Sequence, residues 1–234
     1  MPHPETIQPF GPSTIDHYDG EIAFTDLHLG RVLDRLRDLD LADDTLVVLI
    51  SDHGEEFNDH GGGGHRATLY EEVLHVPLIV RAPGFTPRRV SEPVGNIDVL
   101  PTICELLDLA PPARIQGESL VPLMRGLPAE PRTHLAEMRN NNKKDWDGLV
   151  EGKYKLLYDV TADRRLLFDL EADPLEQADV AASHPEILQA MGARMQALIT
   201  HSRALALHTG PGAEVELTPE DEQALEQLGY GGDH

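Results

Sequence analysis

The stretch Thr45–Ser51, TLVVLIS, constrains the fold more than any other feature of the 234-residue sequence. It is apolar without alternation, and it follows a helical pattern and a polar DLADD turn. A short run of this kind reads as a central strand buried on both faces, which a chain builds by stacking helices on a sheet. The run stops abruptly at Asp52-His53-Gly54. Glu55, Glu56, Asp59, His60, glycines at 61–64 and His65 follow at once.

The surrounding pattern fits that architecture. Ile15, Tyr18, Ile22, Leu29, Val32, Leu33 and Leu36 recur at helical steps, with Ser13 and Asp16 as a capping box. TLYEEVL predicts a short helix, VPLIVRA a second strand of the same buried kind, and NIDVLPTICELLDLA another helix. Asp98 is its expected N-cap, and Pro101 falls in the first turn, where no helical bond is lost. Strand, helix, strand, helix predicts a wound α/β sheet over residues 1–125. From 126 to 234 the texture changes to short alternating segments and terminal helices, as in a small antiparallel sheet plus helix subdomain. The polar segment 136–148 carries the single Trp146, which suits either a sugar-recognising rim or an exposed hairpin connection.

The net charge of -22 argues against a nucleic-acid partner, since exposed acids repel phosphates. It favours cations. One cysteine, Cys104 in an apolar helix, excludes an internal disulfide framework and reads as a packing thiol. No apolar run approaches the ~18 residues of a membrane span. The first residues have neither a basic start nor an apolar core, so no signal peptide is expected in them, which leaves localisation open.

In a wound sheet, ligands sit beyond the carboxyl ends of the strands. Asp52 and His53 lie at such an end, where an isolated carboxylate is costly and a divalent cation removes the cost. They are the expected metal ligands, with Gly54 allowing a sharp exit. Asp52, Glu55, Glu56 and Asp59 would repel one another without positive charge among them. Individually, Glu55, Glu56 and Asp59 read as solvated acids or acids at a helix start.

Five ordered motifs resemble the sulfatases of the alkaline phosphatase superfamily: YDGEIAFTD at 18–26, LVVLISDHGEEFNDHG at 46–61, HRATLYEEVLHVPLIVRAPG at 65–84, IDVLPTICELLDL at 97–109 and LFDLEADPLEQADVA at 167–181. The terminal LEQLGY is similar to the end of many bacterial members. The resemblance implies the second half of an alkaline-phosphatase-like wound sheet, and a divalent metal, usually Ca²⁺, bound in part by an Asp-Asn or Asp-His pair. Asp52-His53 matches that pair, and a histidine there leaves room for Zn²⁺ or Mn²⁺. It also implies a basic side chain before LYEE that contacts the sulfate or protonates the leaving alcohol. His65 and Arg66 are the candidates, with His60 as a further substrate-binding residue.

The family's nucleophile is a formylglycine made in a C/S-x-P-S-R motif, and no such motif occurs in 1–234. The nucleophile and the early metal ligands are therefore expected on an N-terminal half supplied elsewhere, and this polypeptide alone is expected to be inactive. The implied substrate is a sulfated small molecule or carbohydrate. A phosphatase, phosphodiesterase or phosphonate hydrolase of the same superfamily, and a non-catalytic interaction domain, are the alternatives.

Overall fold

The computed structural model describes residues 11–65, 68–139 and 144–207, together with Thr218, Pro219 and Asp221. Most of the expected leader, Arg66, and the expected final helix beyond those three residues lie outside the described residues. The chain divides into two compact units, residues 1–197 and 198–234. The boundary falls within the long helix α5, Pro185–Leu207.

The first unit opens with α1, Thr14–Asp38, capped reciprocally by Ser13 and Asp16 as the sequence predicts. Its apolar stripe is present but little covered: Ile15, Ile22 and Val32 are 51%, 53% and 58% exposed. Next come β1, Val47–Ile50, a small β2–β3 hairpin of Glu56–Phe57 with Gly63–Gly64, the short α2, Glu71–Leu74, and β4, Leu78–Arg81. β1 pairs antiparallel with β4, Ile50 opposite Leu78 and Val47 opposite Arg81.

The expectation that these two strands are buried on both faces needs correcting. All four β1 residues are half-buried, and β4 alternates, with Ile79 58% exposed. Among the described residues each strand has one neighbour, so one edge and part of each face lack the cover that a central strand receives.

Helix α3, Val99–Leu106, buries Pro101, Thr102 and Cys104, the last as the sequence predicts. Asp98 precedes it, yet its carboxylate does not cap the helix. It accepts the Gly95 and Glu118 amides at 3.0 and 2.8 Å and pairs with Arg132 at 3.0 Å, because it is buried and those donors surround it. The short α4 is Val121–Met124.

Four strands follow in chain order as one antiparallel meander: β5 Thr133–Met138, β6 Trp146–Glu151, β7 Tyr154–Asp159 and β8 Arg164–Asp169. This sheet and the helix after it make the small antiparallel subdomain that the sequence predicts. Leu149, Leu156, Leu157 and Leu167 are wholly buried in it, each contributing roughly 2 kcal/mol of transfer free energy. Trp146 is neither rim nor exposed connection. It is 3% exposed and joins Leu69, Tyr70, Leu157, Leu166 and Phe168 in one core cluster. That cluster clamps the segment before α2 onto the sheet, and so places the glycine loop.

Candidate metal and substrate site

The strand end at Ser51 is held by hydrogen bonds on both sides. The Ser51 hydroxyl donates to the His53 carbonyl at 2.8 Å, and the Asn96 amide reaches the carbonyls of Ser51 and Asp52 at 3.3 and 3.5 Å. Gly54 donates to the Val73 carbonyl at 2.8 Å. A Cβ on Gly54 would lie 2.0 Å from the Glu72 carbonyl oxygen. The glycine is therefore required by close backbone approach to α2, and its φ is not in the left-handed region.

Asp52 is mostly exposed, and one carboxylate oxygen accepts its neighbour's amide at 3.0 Å. Its other oxygen stands 3.7 Å from His53 Nε2. His53 Nδ1 lies 2.8 Å from the Gly54 carbonyl, which can only accept, so in the neutral ring the proton sits on Nδ1 and Nε2 is the nitrogen left to ligate. Two donors bound to one divalent ion lie roughly 3–3.5 Å apart. The Asp52–His53 separation of 3.7 Å is close to that spacing, so the pair fits a shared cation.

His65 stacks on His53, ring centroids 4.0 Å apart, and its Nδ1 faces Glu55 Oε2 at 3.0 Å. Among the described residues its Nε2 is buried without a hydrogen-bond partner. From α1, Tyr18 packs edge-on against Phe57. Burial and then the charges of Glu55, Asp19 and Asp52 push its hydroxyl pKa up. The structure thus gathers Asp52, His53, Glu55 and His65 in one place.

His60 lies apart from them. Its ring stacks on Tyr70 at 3.6 Å, its Nδ1 faces Glu72 Oε1 at 2.7 Å, and its Nε2 faces the Glu176 carbonyl at 3.2 Å. Burial opposes its charge, but the hydrogen bonds to Glu72 and Glu176 outweigh burial and raise the pKa. A histidine raised above its unfolded value adds stability that is full below about pH 6.5 and is lost as pH rises through the folded-state pKa. Stability in urea should therefore fall across that window in the parent chain and less in Glu72→Gln. Parallel pH profiles for the two proteins would contradict this account.

Several contributors escape sequence reasoning. Glu56, expected to be solvated or at a helix start, is 1% exposed and accepts from the His60 and Gly62 amides at 3.2 and 2.7 Å and from Thr68 Oγ1 at 3.2 Å. Three donors converge on it from its own loop, which is why it can be buried there. Asp59 caps the Phe57 amide at 2.9 Å. Lys155, wholly buried, bridges Glu71 at 2.8 Å and Glu176 at 3.0 Å. Glu176 also accepts the Glu71 amide at 2.6 Å. Tyr18 and Glu176 fall inside quoted motifs, the one signal that pointed to them, whereas Asn96 and Lys155 had none.

Solved structures share this fold. BT4656, in complex with its substrate D-glucosamine-2-N,6-O-disulfate, is 24% identical with a TM-score of 0.72, over 81% of this chain and 41% of that one. The phosphonate monoester hydrolase of Agrobacterium radiobacter is 27% identical with a TM-score of 0.68, over 80% and 41%. These likenesses define the class as the alkaline-phosphatase-like superfamily.

Residues 2–109 match the family described as Sulfatase, and residues 60–202 match N-sulphoglucosamine sulphohydrolase, C-terminal. The chain belongs to the sulfatase family. Choline-sulfatase of Rhizobium meliloti (strain 1021) is 34% identical over 170 residues, 70% of this chain and 32% of that protein. Arylsulfatase K of Homo sapiens is 30% identical over 203 residues, 81% of this chain and 37% of that protein. The chain spans about a third of the length of the curated relatives it matches.

Proposed function

We propose that this chain is the C-terminal part of a metal-dependent sulfuric ester hydrolase. The observation that carries the reading is the Asp52–His53 pair, 3.7 Å apart at the end of β1 in a chain of the sulfatase family. Asp52 and His53 would hold a divalent cation, Ca²⁺ by the family resemblance, with the remaining ligands on polypeptide outside this chain. Bound there, the cation would withdraw charge from sulfate oxygens as the S–O bond breaks.

The chain's own residues prepare that site. Asn96 and Gly54 fix the backbone that carries the two ligands. Glu55 orients the His65 imidazole, which together with Arg66 is assigned to contact the sulfate or protonate the leaving alcohol. His60, with both ring nitrogens engaged, would act on substrate through the loop it anchors. A sulfated small molecule or carbohydrate is the proposed substrate class. A domain boundary near residue 125 goes with this reading, the first part carrying the metal ligands.

The purified 234-residue chain should show no turnover of an aryl sulfate. Two ligands from one loop are few beside the six to eight oxygens a calcium ion takes. Mixing in a polypeptide that carries the early half of the catalytic domain should restore hydrolysis that a chelator abolishes. Turnover by the chain alone would refute the incomplete-enzyme reading, and none with the added half would favour a non-catalytic domain. The likeness to a phosphonate monoester hydrolase supports a second reading, which the same mixture would reveal by cleaving a phosphonate monoester in preference to a sulfate.

A further inference from the structure

We propose that His53, Glu55 and His65 form a second cation site, one that takes a borderline divalent ion of the zinc class in preference to calcium. It shares His53 with the Asp52 pair but draws its other donors from the glycine-loop side, so the two sites compete for one imidazole. The reading needs only three residues of one loop and does not depend on the hydrolase assignment.

One ligating atom from each of the three residues lies within 4.8 Å of the others, and all three side chains are half-buried. His65 Nδ1 and Glu55 Oε2 are already 3.0 Å apart, close to the separation of two donors on a four-coordinate ion with bonds of about 2.1 Å. Among the described residues the second ring nitrogen of His65 has no hydrogen-bond partner, so the ring's one polar engagement there is the Glu55 contact that a shared ion would replace. Two imidazoles and a carboxylate suit zinc, whereas calcium selects oxygen. The rings of His53 and His65 lie nearly parallel, tilted by 22°. Both cannot aim lone pairs at one ion as they stand, so capture must turn one ring out of the stack, which links ion binding to a visible change in the His53–His65 pair.

The 234-residue chain should be titrated calorimetrically with zinc chloride alone and with calcium chloride alone, beside His65→Ala, Glu55→Gln and Asp52→Asn. We expect zinc to bind at one strong site that weakens at least about tenfold in His65→Ala and in Glu55→Gln but less than about threefold in Asp52→Asn. Calcium at equal concentration should not displace it. In the parent chain, zinc should shift the ring-proton resonances of His53 and His65 together. Zinc affinity unchanged in His65→Ala or Glu55→Gln overturns the proposal, as does affinity lost in Asp52→Asn, which would place zinc on the other pair. Should a variant fail to fold, the parent spectrum decides: shifts that spare His65 overturn the proposal. None of these outcomes bears on turnover by the completed enzyme, which tests the hydrolase reading separately.

Discussion

Lys155→Met should destabilise the chain by about 3–5 kcal/mol, the usual consequence of removing one partner from a buried ion pair. Lys155 and Glu176 are both fully inaccessible through their side chains, and Glu71 is the third member. Glu176 Oε1 sits 3.0 Å from the ammonium without a well-directed hydrogen bond, so charge attraction holds it. Desolvation raises the Glu176 pKa even with Lys155 beside it. Without the lysine the charged carboxylate stays buried with no cation beside it and with Glu71 as a like charge, and the Glu71 amide that it anchors loses its fixed partner.

At a shift of roughly 2–4 °C per kcal/mol for a chain of this size, the midpoint of thermal unfolding should drop by about 10 °C. A raised carboxylate pKa means stability that is present below the unfolded value and lost as pH rises through the folded one. The deficit of the variant relative to the parent should therefore shrink in acid, where Glu176 takes up a proton. Adding Glu176→Gln to Lys155→Met should recover part of the loss. Equal midpoints for Lys155→Met and the parent would show that the bridge contributes nothing.

The second large effect is at Gly54. An alanine Cβ would stand 2.0 Å from the Glu72 carbonyl oxygen, 3.0 Å from the carbonyl carbon and 3.3 Å from Val73 Cα. These are backbone atoms, so no side chain can swing aside, and the exit of β1 must separate from α2. Overpacking costs about 1–3 kcal/mol in ordinary cores, and a backbone obstacle should put Gly54→Ala at the upper end of that range. The same displacement moves Asp52 and His53, so cation affinity should fall together with stability. Gly30→Ala serves as the control. It lies in α1 with open space around the added methyl, and should gain up to about 1 kcal/mol from helix propensity. Calorimetric unfolding of the three proteins checks both signs, and a Gly54→Ala chain as stable as the parent would dispose of the close-approach argument.

Local rules were legible wherever they act within a few residues. The Ser13–Asp16 cap starts α1 where the pattern places it, and Cys104 is the packing thiol that its apolar helix implies. The antiparallel hairpins of the second half follow from short alternating segments with turns between them. Asp98 was placed correctly before its helix, but the use of its carboxylate depended on Glu118 and Arg132, which are distant in sequence. Trp146 was misplaced for a related reason. A polar stretch around one aromatic residue does not reveal that Tyr70 and Phe168 come to meet it.

By itself the sequence determined the order of elements, the acid-and-imidazole loop after β1, and membership of the sulfatase family through motifs in their proper order. Those features rest on periodicity, local capping and residue spacing, which a linear string records in full. Only the tertiary structure decided which loop acids are buried. Glu56 turns inward because three donors of its own loop surround it, Glu55 turns to His65, and Glu176 pairs with the buried Lys155. A carboxylate's burial depends on whether partners offset its desolvation, and those partners are brought together by folding, from positions as far apart as Glu71 and Glu176.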